Sequence, residues 1–412
     1  MIHPFGFYTR VTKQVKMLHK NIVNKESIIL KFIFYYFKLV GLSCVSFSSK
    51  SRLDICFLTS KLGALYNVIL ALLITCFNYY VVLIVVKVSF GSLHFDRAID
   101  FGRVCLAVIS SVFILITYCF KRKKATIILN RINTIAELSV NLRSNGKSGH
   151  DGLCKPAKRI FFVFLVTWLV LIAVTPKLKF YALLYFAAQY SCEMVIMCML
   201  VQYSMLLSIL KQLFETINAR FTISSEANFQ VRRFSQHRSN EFGLEVKLNR
   251  FSYLRELHLS LCEVAEDLSQ FYSQSLLFCI AYVFSSLVLY AYFFVKIVTQ
   301  KGDGIINTAT TRFIIVKLLH YIGPTVTVTW AACAVVNESN RTGKIVNKWM
   351  GDSRDQYVAI KLNQFSNYLL HQKLSFRAAG LFSLDGTLMM SIAASITTYI
   401  MILLQFQDST KR

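Results

Sequence analysis

The chain has 412 residues, of which 55% are hydrophobic and only 16% charged; a soluble chain averages about 25% charged, so this one lacks the charge to cover its apolar surface and is read as a membrane protein. Its net charge of +25 is read as topogenic and not as a nucleic-acid surface, because the basic residues lie between apolar runs and not on one face interleaved with aromatics. The 11 cysteines are odd in number, irregularly spaced and mostly inside apolar runs, which excludes a disulfide framework or a Cys-x-x-Cys metal site and leaves them as small buried side chains.

The first 27 residues carry Arg10, Lys13, Lys16, Lys20 and Lys25 with no apolar core among them, so no cleavable signal peptide is expected and the first membrane helix serves as insertion signal. Residues 27–47 are apolar but interrupted by Lys31 and Lys38. Two ammonium groups in one span are costly, and this segment is read as a membrane-surface or re-entrant helix within a cytosolic amino-terminal segment, 1–62.

Seven stretches approach or meet the roughly 20 apolar residues that a 30 Å bilayer core requires. They are residues 63–86, 101–120, 160–175, 180–210, 273–298, 313–336 and 380–406. The third is the shortest, and Trp168 with Lys158, Arg159 and Lys177 is expected to anchor it at the two surfaces. The implied organisation is spans one to four over 63–210, cytosolic extensions and a mobile loop over 211–272, spans five and six over 273–336, further cytosolic helices over 337–379, and the seventh span with a short external tail over 380–412.

Orientation follows from Lys and Arg. With the amino terminus inside, the cytosolic segments collect about 35 basic residues and the external ones about 8, and Lys121-Arg122-Lys123-Lys124 pins the inner end of the second span. Seven crossings place the carboxyl terminus outside. The external connections are short, so a small external ligand has to bind between the helices themselves.

From Phe180 to about Phe221 there is no proline or glycine, and some 40 helical residues reach roughly 60 Å, twice the membrane core. Leu244, Leu248, Phe251, Leu254, Leu261, Val264, Leu268 and Phe271 form an apolar stripe ahead of the fifth span, and Val358, Leu362, Phe365, Leu369 and Leu374 form another ahead of the seventh. Outside the membrane these stripes need one another or neighbouring subunits, which predicts a cytosolic helical bundle holding an oligomer together; the alternative is that they pack only within one subunit. Residues 222–242, rich in Ser and Arg, are read as a loop.

Near its carboxyl end the chain carries Thr398-Tyr399-Ile400-Met401-Ile402-Leu403-Leu404-Gln405-Phe406. This Thr-Tyr, five apolar residues, Gln-Phe arrangement resembles the carboxy-terminal signature of the insect gustatory receptor family. Phe376-Arg377-Ala378-Ala379-Gly380-Leu381-Phe382-Ser383-Leu384-Asp385 is similar to that family's approach to its last helix, and Phe37-Lys38-Leu39-Val40-Gly41-Leu42 with Leu65-Tyr66-Asn67 is similar to its start. The resemblance implies an all-α membrane protein with seven transmembrane helices, a cytosolic N-terminus, an extracellular C-terminus and cytosolic helical extensions forming an inter-subunit anchor. It also implies a ligand-gated, non-selective cation channel of four like or related subunits in the plasma membrane of gustatory sensory neurons, with membrane lipid and a small tastant as partners and no cofactor.

In that family the last helix lines the pore. Ser391, Thr398, Ile402 and Gln405 step by three, four and seven residues onto one stripe, with Phe406 beside Gln405 at the external mouth, where a ring of bulky side chains closes a pore by dewetting. The alternative is that Gln405 is an interfacial amide and Thr398 bonds back to its own helix. Asp385, the one carboxylate of this span, lies near its inner end, so strong divalent selectivity is not expected.

Glu193 in the fourth span and His320 in the sixth are costly in lipid unless they face a cavity or a partner. Trp168, Tyr181, Tyr185 and Gln189 before them and Tyr290, Tyr292 and Tyr321 after supply rings and an amide, and the candidate ligand residues are Trp168, Tyr185, Gln189, Glu193, His320 and Tyr321. The alternative is a helix-helix hydrogen bond without a ligand. Lys296 and Lys317 are expected to snorkel to the external surface. The family's sugar-sensing branch has an acidic residue after Thr-Tyr; here Ile400 stands there, which favours a bitter or aversive compound.

Three rival readings fare less well. A receptor coupling to intracellular signalling proteins has the opposite orientation, and neither Asp-Arg-Tyr after the third span nor Asn-Pro-x-x-Tyr in the last is present; glycosylation at Asn337-Glu338-Ser339 or Asn340-Arg341-Thr342 is its sequence-level discriminator. A membrane enzyme lacks paired histidines, a phosphate loop and a nucleophile elbow, and a secondary transporter has only Pro324 as a helix break.

Overall fold

The computed structural model describes residue 29 and residues 31–49, 55–88, 95–141, 149–175, 180–234, 240–299, 308–351 and 356–409. A short helix over residues 31–39 (α1) is followed by Val45–Ser49 (β1), Ile55–Thr59 (β2), Lys61–Val88 (α2), Phe95–Phe120 (α3), Arg122–Asn141 (α4) and Gly149–Val174 (α5). Then come Phe180–Phe234 (α6), Asn240–Thr299 (α7), Thr308–Gly351 (α8), Gln356–His371 (α9), Arg377–Ala378 (β3), Phe382–Ser383 (β4) and Gly386–Ser409 (α10). Among the described residues seven helices, α2, α3, α5, α6, α7, α8 and α10, are long and apolar enough to cross a bilayer. The protein is a seven-span, helical, multi-pass membrane protein.

Length sets the shape. At 1.5 Å per residue the 60-residue α7 is about 90 Å long, three times the hydrocarbon thickness, so it projects well beyond the membrane. α6 and α8 project with it at the same end, here called basal, where Asn218 Nδ2 of α6 donates to Glu338 O of α8 at 2.8 Å and Thr342 Oγ1 donates to Asn218 Oδ1 at 2.7 Å. In its most apolar stretch α6 is 78% buried, against 11% for α10. α6 is therefore the central post, packed by α2, α3, α5, α7 and α8, while α10 leans mainly on the edge made by α7 and α8.

Most of the two amphipathic stripes is covered within the chain, Leu248, Val358 and Leu369 only partly, while the Leu244 side chain lies outside the described residues. Phe251, Leu254, Leu261, Val264 and Leu268 of α7 and Leu362 and Phe365 of α9 are buried, with Phe221 stacked on Phe365 at 6.1 Å and Phe251 edge-on to Trp349 at 5.5 Å. No second copy is needed to bury them. What α9 leaves exposed is a different set: Tyr357, Ile360, Tyr368 and Leu370.

Two local readings are corrected. The segment 27–47 is helical only as far as residue 39; Gly41 then takes φ +86°, and a side chain there would meet Leu115 Cδ2 at 2.5 Å. Beyond it, β1 and β2 pair antiparallel, Val45 opposite Thr59, because Val, Phe, Ile and Thr at these positions favour extended backbone. Asn130 of α4 fastens the hairpin by accepting from Phe57 N at 2.9 Å and donating to Phe57 O at 3.0 Å. The expected loop 222–242 is largely helix instead, α6 running to Phe234 and α7 starting at Asn240. The stretch before Phe234 has no proline or glycine to stop it, and Glu226, Ala227, Gln230, Arg232 and Arg233 favour helix.

The foot of α10 is built to hold position. The β3–β4 turn uses positive φ at Ala379 and Gly380, and Ala379 N donates to Ser273 O of α7 at 3.1 Å. Asp385, one residue before the span Gly386–Gln405, is the N-cap: it accepts from Thr387 N at 2.9 Å. Hydrogen bonds from Thr387 and from Ser383 hold its carboxyl below the usual carboxylate range.

Candidate ligand site

Deep between the helices lies a set of charged side chains that the packing of α6 decides. One turn of α6 carries Gln189, Tyr190 and Glu193, and the last two meet α8, where Lys317, His320 and Tyr321 occupy the facing turn. Lys317 Nζ donates to Glu193 Oε2 at 2.7 Å, and both side chains are fully buried. Among the described residues Glu193 Oε1 accepts no hydrogen bond, and it faces His320 Nε2 at 3.5 Å. The imidazole stands edge-on to Trp168 of α5, 5.0 Å between centroids. Gln189 is buried with its amide nitrogen lacking a partner.

The same Lys317 ammonium is ringed by aromatics. Its nitrogen lies 4.4 Å from the centroid of Tyr190, 5.6 Å from Tyr321, 5.9 Å from Tyr290 and 6.0 Å from Phe313. Pro324 follows one turn below His320, and its missing N–H leaves the His320 carbonyl without its helical donor.

A second charged unit abuts the first. Arg103 of α3 is buried and pairs with Asp100 at 2.7 Å, and Tyr185 of α6 donates to the other oxygen of Asp100. Arg103 Nη1 reaches the Tyr282 hydroxyl at 3.5 Å, its guanidinium lies 5.6 Å from the Tyr290 ring, and Tyr282 meets Tyr321 hydroxyl to hydroxyl at 3.3 Å. Tyr290 and Tyr321, stacked at 5.7 Å, thus join the two units. Burying ions costs several kcal/mol each, repaid only by close pairing. Ionisable groups kept in the membrane-embedded part of a protein point to function.

The structure brings Trp168, Tyr185, Gln189, Glu193, His320 and Tyr321 into one neighbourhood and corrects two expectations. Lys317 does not snorkel: Glu193 and four rings draw it inward. Trp168 is no surface anchor; it is buried between Phe164, Tyr190 and His320. Sequence reasoning missed Asp100, Arg103, Tyr190 and Tyr282. An arginine inside an apolar run was the available signal for Arg103, and its nearness to the run's edge reads as interfacial.

On α10, Ser391, Thr398, Tyr399, Ile402 and Gln405 are exposed in the single chain, whereas Leu388 and Ile392 face the core. Ser391 Oγ and Thr398 Oγ1 bond back to Thr387 O at 2.9 Å and Ala394 O at 3.2 Å. Tyr399 packs edge-on against Phe284 of α7 at 5.8 Å. The Phe406 side chain lies outside the described residues. Between the charged cluster and the foot of α10 is an apolar crevice lined by Leu200, Ile280, Thr325, Val328 and Leu388.

Residues 30–410 match the family described as 7tm Chemosensory receptor. The chain belongs to this family. As a 7tm chemosensory receptor it is a receptor and not an enzyme. It is 30% identical over 158 residues to gustatory receptor 28b of Drosophila melanogaster, covering 38% of this chain and 34% of that one. To the Drosophila gustatory receptor for bitter taste 66a it is 29% identical over 169 residues, 40% of this chain and 32% of the relative. The chain thus spans about a third of the length of the curated relatives it matches. The olfactory receptor OR5 of Machilis hrabei shares the fold at a TM-score of 0.62 and 12% identity, covering 93% of this chemosensory receptor and 99% of that chain. The same receptor in complex with eugenol gives a TM-score of 0.63.

Proposed function

We propose that this chemosensory receptor is a gustatory receptor acting as a ligand-gated, non-selective cation channel for small contact tastants of the bitter or aversive kind. It works as a homo- or hetero-tetramer in the plasma membrane of gustatory sensory neurons, with the basal end in the cytosol and the carboxyl terminus outside. The observation that carries the channel reading is α10. It is the least buried of the spans, yet its exposed surface bears Ser391, Thr398 and Gln405. An amide turned to lipid is unfavourable; facing a water-filled axis between copies of α10 it is satisfied.

The charged cluster of α3, α6 and α8 is the ligand site. A ligand entering from the end opposite the basal one, here called apical, repacks Tyr321 and Lys317, and α8 carries the change past Pro324 to Thr325 and Val328, which line one crevice with Leu388 at the foot of α10. The exposed rings of α9 and the projecting ends of α6, α7 and α8 supply the inter-subunit anchor over 211–272 and 337–379, and 380–412 supplies the pore. The relative named for bitter taste and Ile400 after Thr398-Tyr399 favour an aversive tastant over a sugar; a relative named for sugar taste, receptor 43a, also matches at 27% identity, so the panel must hold both.

The test is expression in a null cell with a panel of bitter compounds and sugars. Ligand-evoked cation current is expected from wild type, with altered conductance or gating in Gln405→Ala. Current indifferent to that substitution removes the pore assignment, and exchange flux without unitary currents replaces the channel with a transporter.

A further inference from the structure

The reading of the cluster as the ligand site leaves the chemical class of ligand open, and the surroundings of one nitrogen narrow it. A cation within about 6 Å of one aromatic face occurs roughly once per 70–80 residues. Lys317 Nζ has four such rings around it and one carboxylate oxygen against it. An ammonium carries three N–H donors. Glu193 Oε2 is the one hydrogen-bond acceptor that Lys317 meets among the described residues, and four ring centroids lie within 6.0 Å of the same nitrogen. Such surroundings suit a cation with few or no N–H groups, one clothed in methyl or methylene, better than a primary ammonium.

We propose that Glu193 with the rings of Tyr190, Tyr290, Tyr321 and Phe313 is an ammonium-recognition site that the receptor's own Lys317 fills in this state, and that alkylated ammonium compounds are the ligand class that competes for it. A neutral ligand taking the place of Lys317 strands the Glu193 carboxylate, already short of one hydrogen bond at Oε1. A cationic ligand restores the charge balance. The displaced lysine has somewhere to go, because helix side chains lean toward the helix N-terminus, which for α8 is the apical end, and Lys317 lies nine residues, about 13 Å, from Thr308. The tie between α6 and α8 is then cut about two turns from Pro324, which has already weakened α8.

The experiment uses the full chain purified in lipid nanodiscs and reads thermal unfolding against increasing choline, with 3,3-dimethyl-1-butanol as its uncharged isostere and sodium chloride as ionic-strength control. Choline is expected to raise the melting temperature of wild type saturably. In Lys317→Ala it should act about tenfold more tightly, because the competing ammonium is gone, and the isostere should be at least about tenfold weaker than choline in both. Glu193→Gln in the Lys317→Ala background should abolish the response. Should Lys317→Ala not fold, Tyr190→Leu in the otherwise native chain is expected to weaken choline by about tenfold. Equal stabilisation by the isostere, no saturable choline effect on wild type, or indifference of that effect to Tyr190→Leu overturns the proposal. Currents recorded in parallel separate the two readings: choline binding without current to any ligand removes the channel and keeps the site, and current to other tastants without choline binding removes the site alone.

Discussion

The ammonium of Lys317 reaches from α8 to within 2.7 Å of Glu193 Oε2 on α6, with neither side chain touching solvent. It ties the central post of the bundle to the helix that packs on it most extensively. Removing one member leaves a buried charge without its counter-charge. Glu193→Ala is therefore expected to lower stability by about 3–5 kcal/mol, whereas the paired change Glu193→Leu with Lys317→Met should recover most of it. Detergent-solubilised thermal melts of the three proteins check this, and a double variant as unstable as the single one would show that the pair does more than neutralise itself.

Asp100 and Arg103 form a pair of a different kind, because Asp100 is 30% exposed. Asp100→Asn should cost about 1–3 kcal/mol, less than the loss of Glu193, since water screens the remaining charge. The same melts compare them directly, and a larger loss at Asp100 than at Glu193 contradicts the ordering.

Asn130 uses both ends of its amide on the β1–β2 hairpin. A carboxylate keeps the bond from Phe57 N and cannot donate to Phe57 O, so Asn130→Asp is expected to be nearly as harmful as Asn130→Ala, by about 1–2 kcal/mol. Hydrogen exchange at the Phe57 amide is the local readout. Loss of protection in both variants is expected, greatest in Ala.

Asp385 caps α10, and its lowered carboxyl fixes the sign of a pH effect. The stabilisation is fully present above the ordinary carboxylate value and is lost as pH falls through the lower native one. Asp385→Ala should cost about 1 kcal/mol at neutral pH and Asp385→Asn much less. Exchange of the Thr387 amide followed from neutral to acid pH tests both; early loss of protection, near the ordinary value, would contradict the cap.

The orientation needs a reporter other than the two sequons. Both lie inside α8, with Ser339 and Thr342 buried and Thr342 committed to Asn218, so the fold hinders their glycosylation whichever way the protein faces. Cys56, exposed on β2, is better placed. A membrane-impermeant maleimide should label it only after the cells are permeabilised, with Cys56→Ser as control. Labelling of intact cells would reverse the topology.

Hydropathy and charge are properties of a run of residues, and the chain displayed them without any fold: seven apolar runs fell on seven helices, and the two amphipathic stripes fell on α7 and, apart from Leu374 beyond its end, on α9. Glu193 and His320 stood out because a charge in an apolar run is conspicuous wherever the helix ends up. Which charge meets which is another matter. Lys317 looked free to reach the surface, and Trp168 looked like an anchor, because the partners that hold them come from other helices, Glu193 lying 124 residues from Lys317 and His320 on α8 facing Trp168 on α5. The β1–β2 hairpin was hidden for a related reason, since its short strands are stabilised by Asn130 on α4. The amino-acid order determined what crosses the membrane and what must be covered; only the side-by-side packing of α3, α6, α7 and α8 decided that the buried charges share one aromatic-lined site, because pairing and ring contacts act over a few ångströms between segments that the sequence keeps apart.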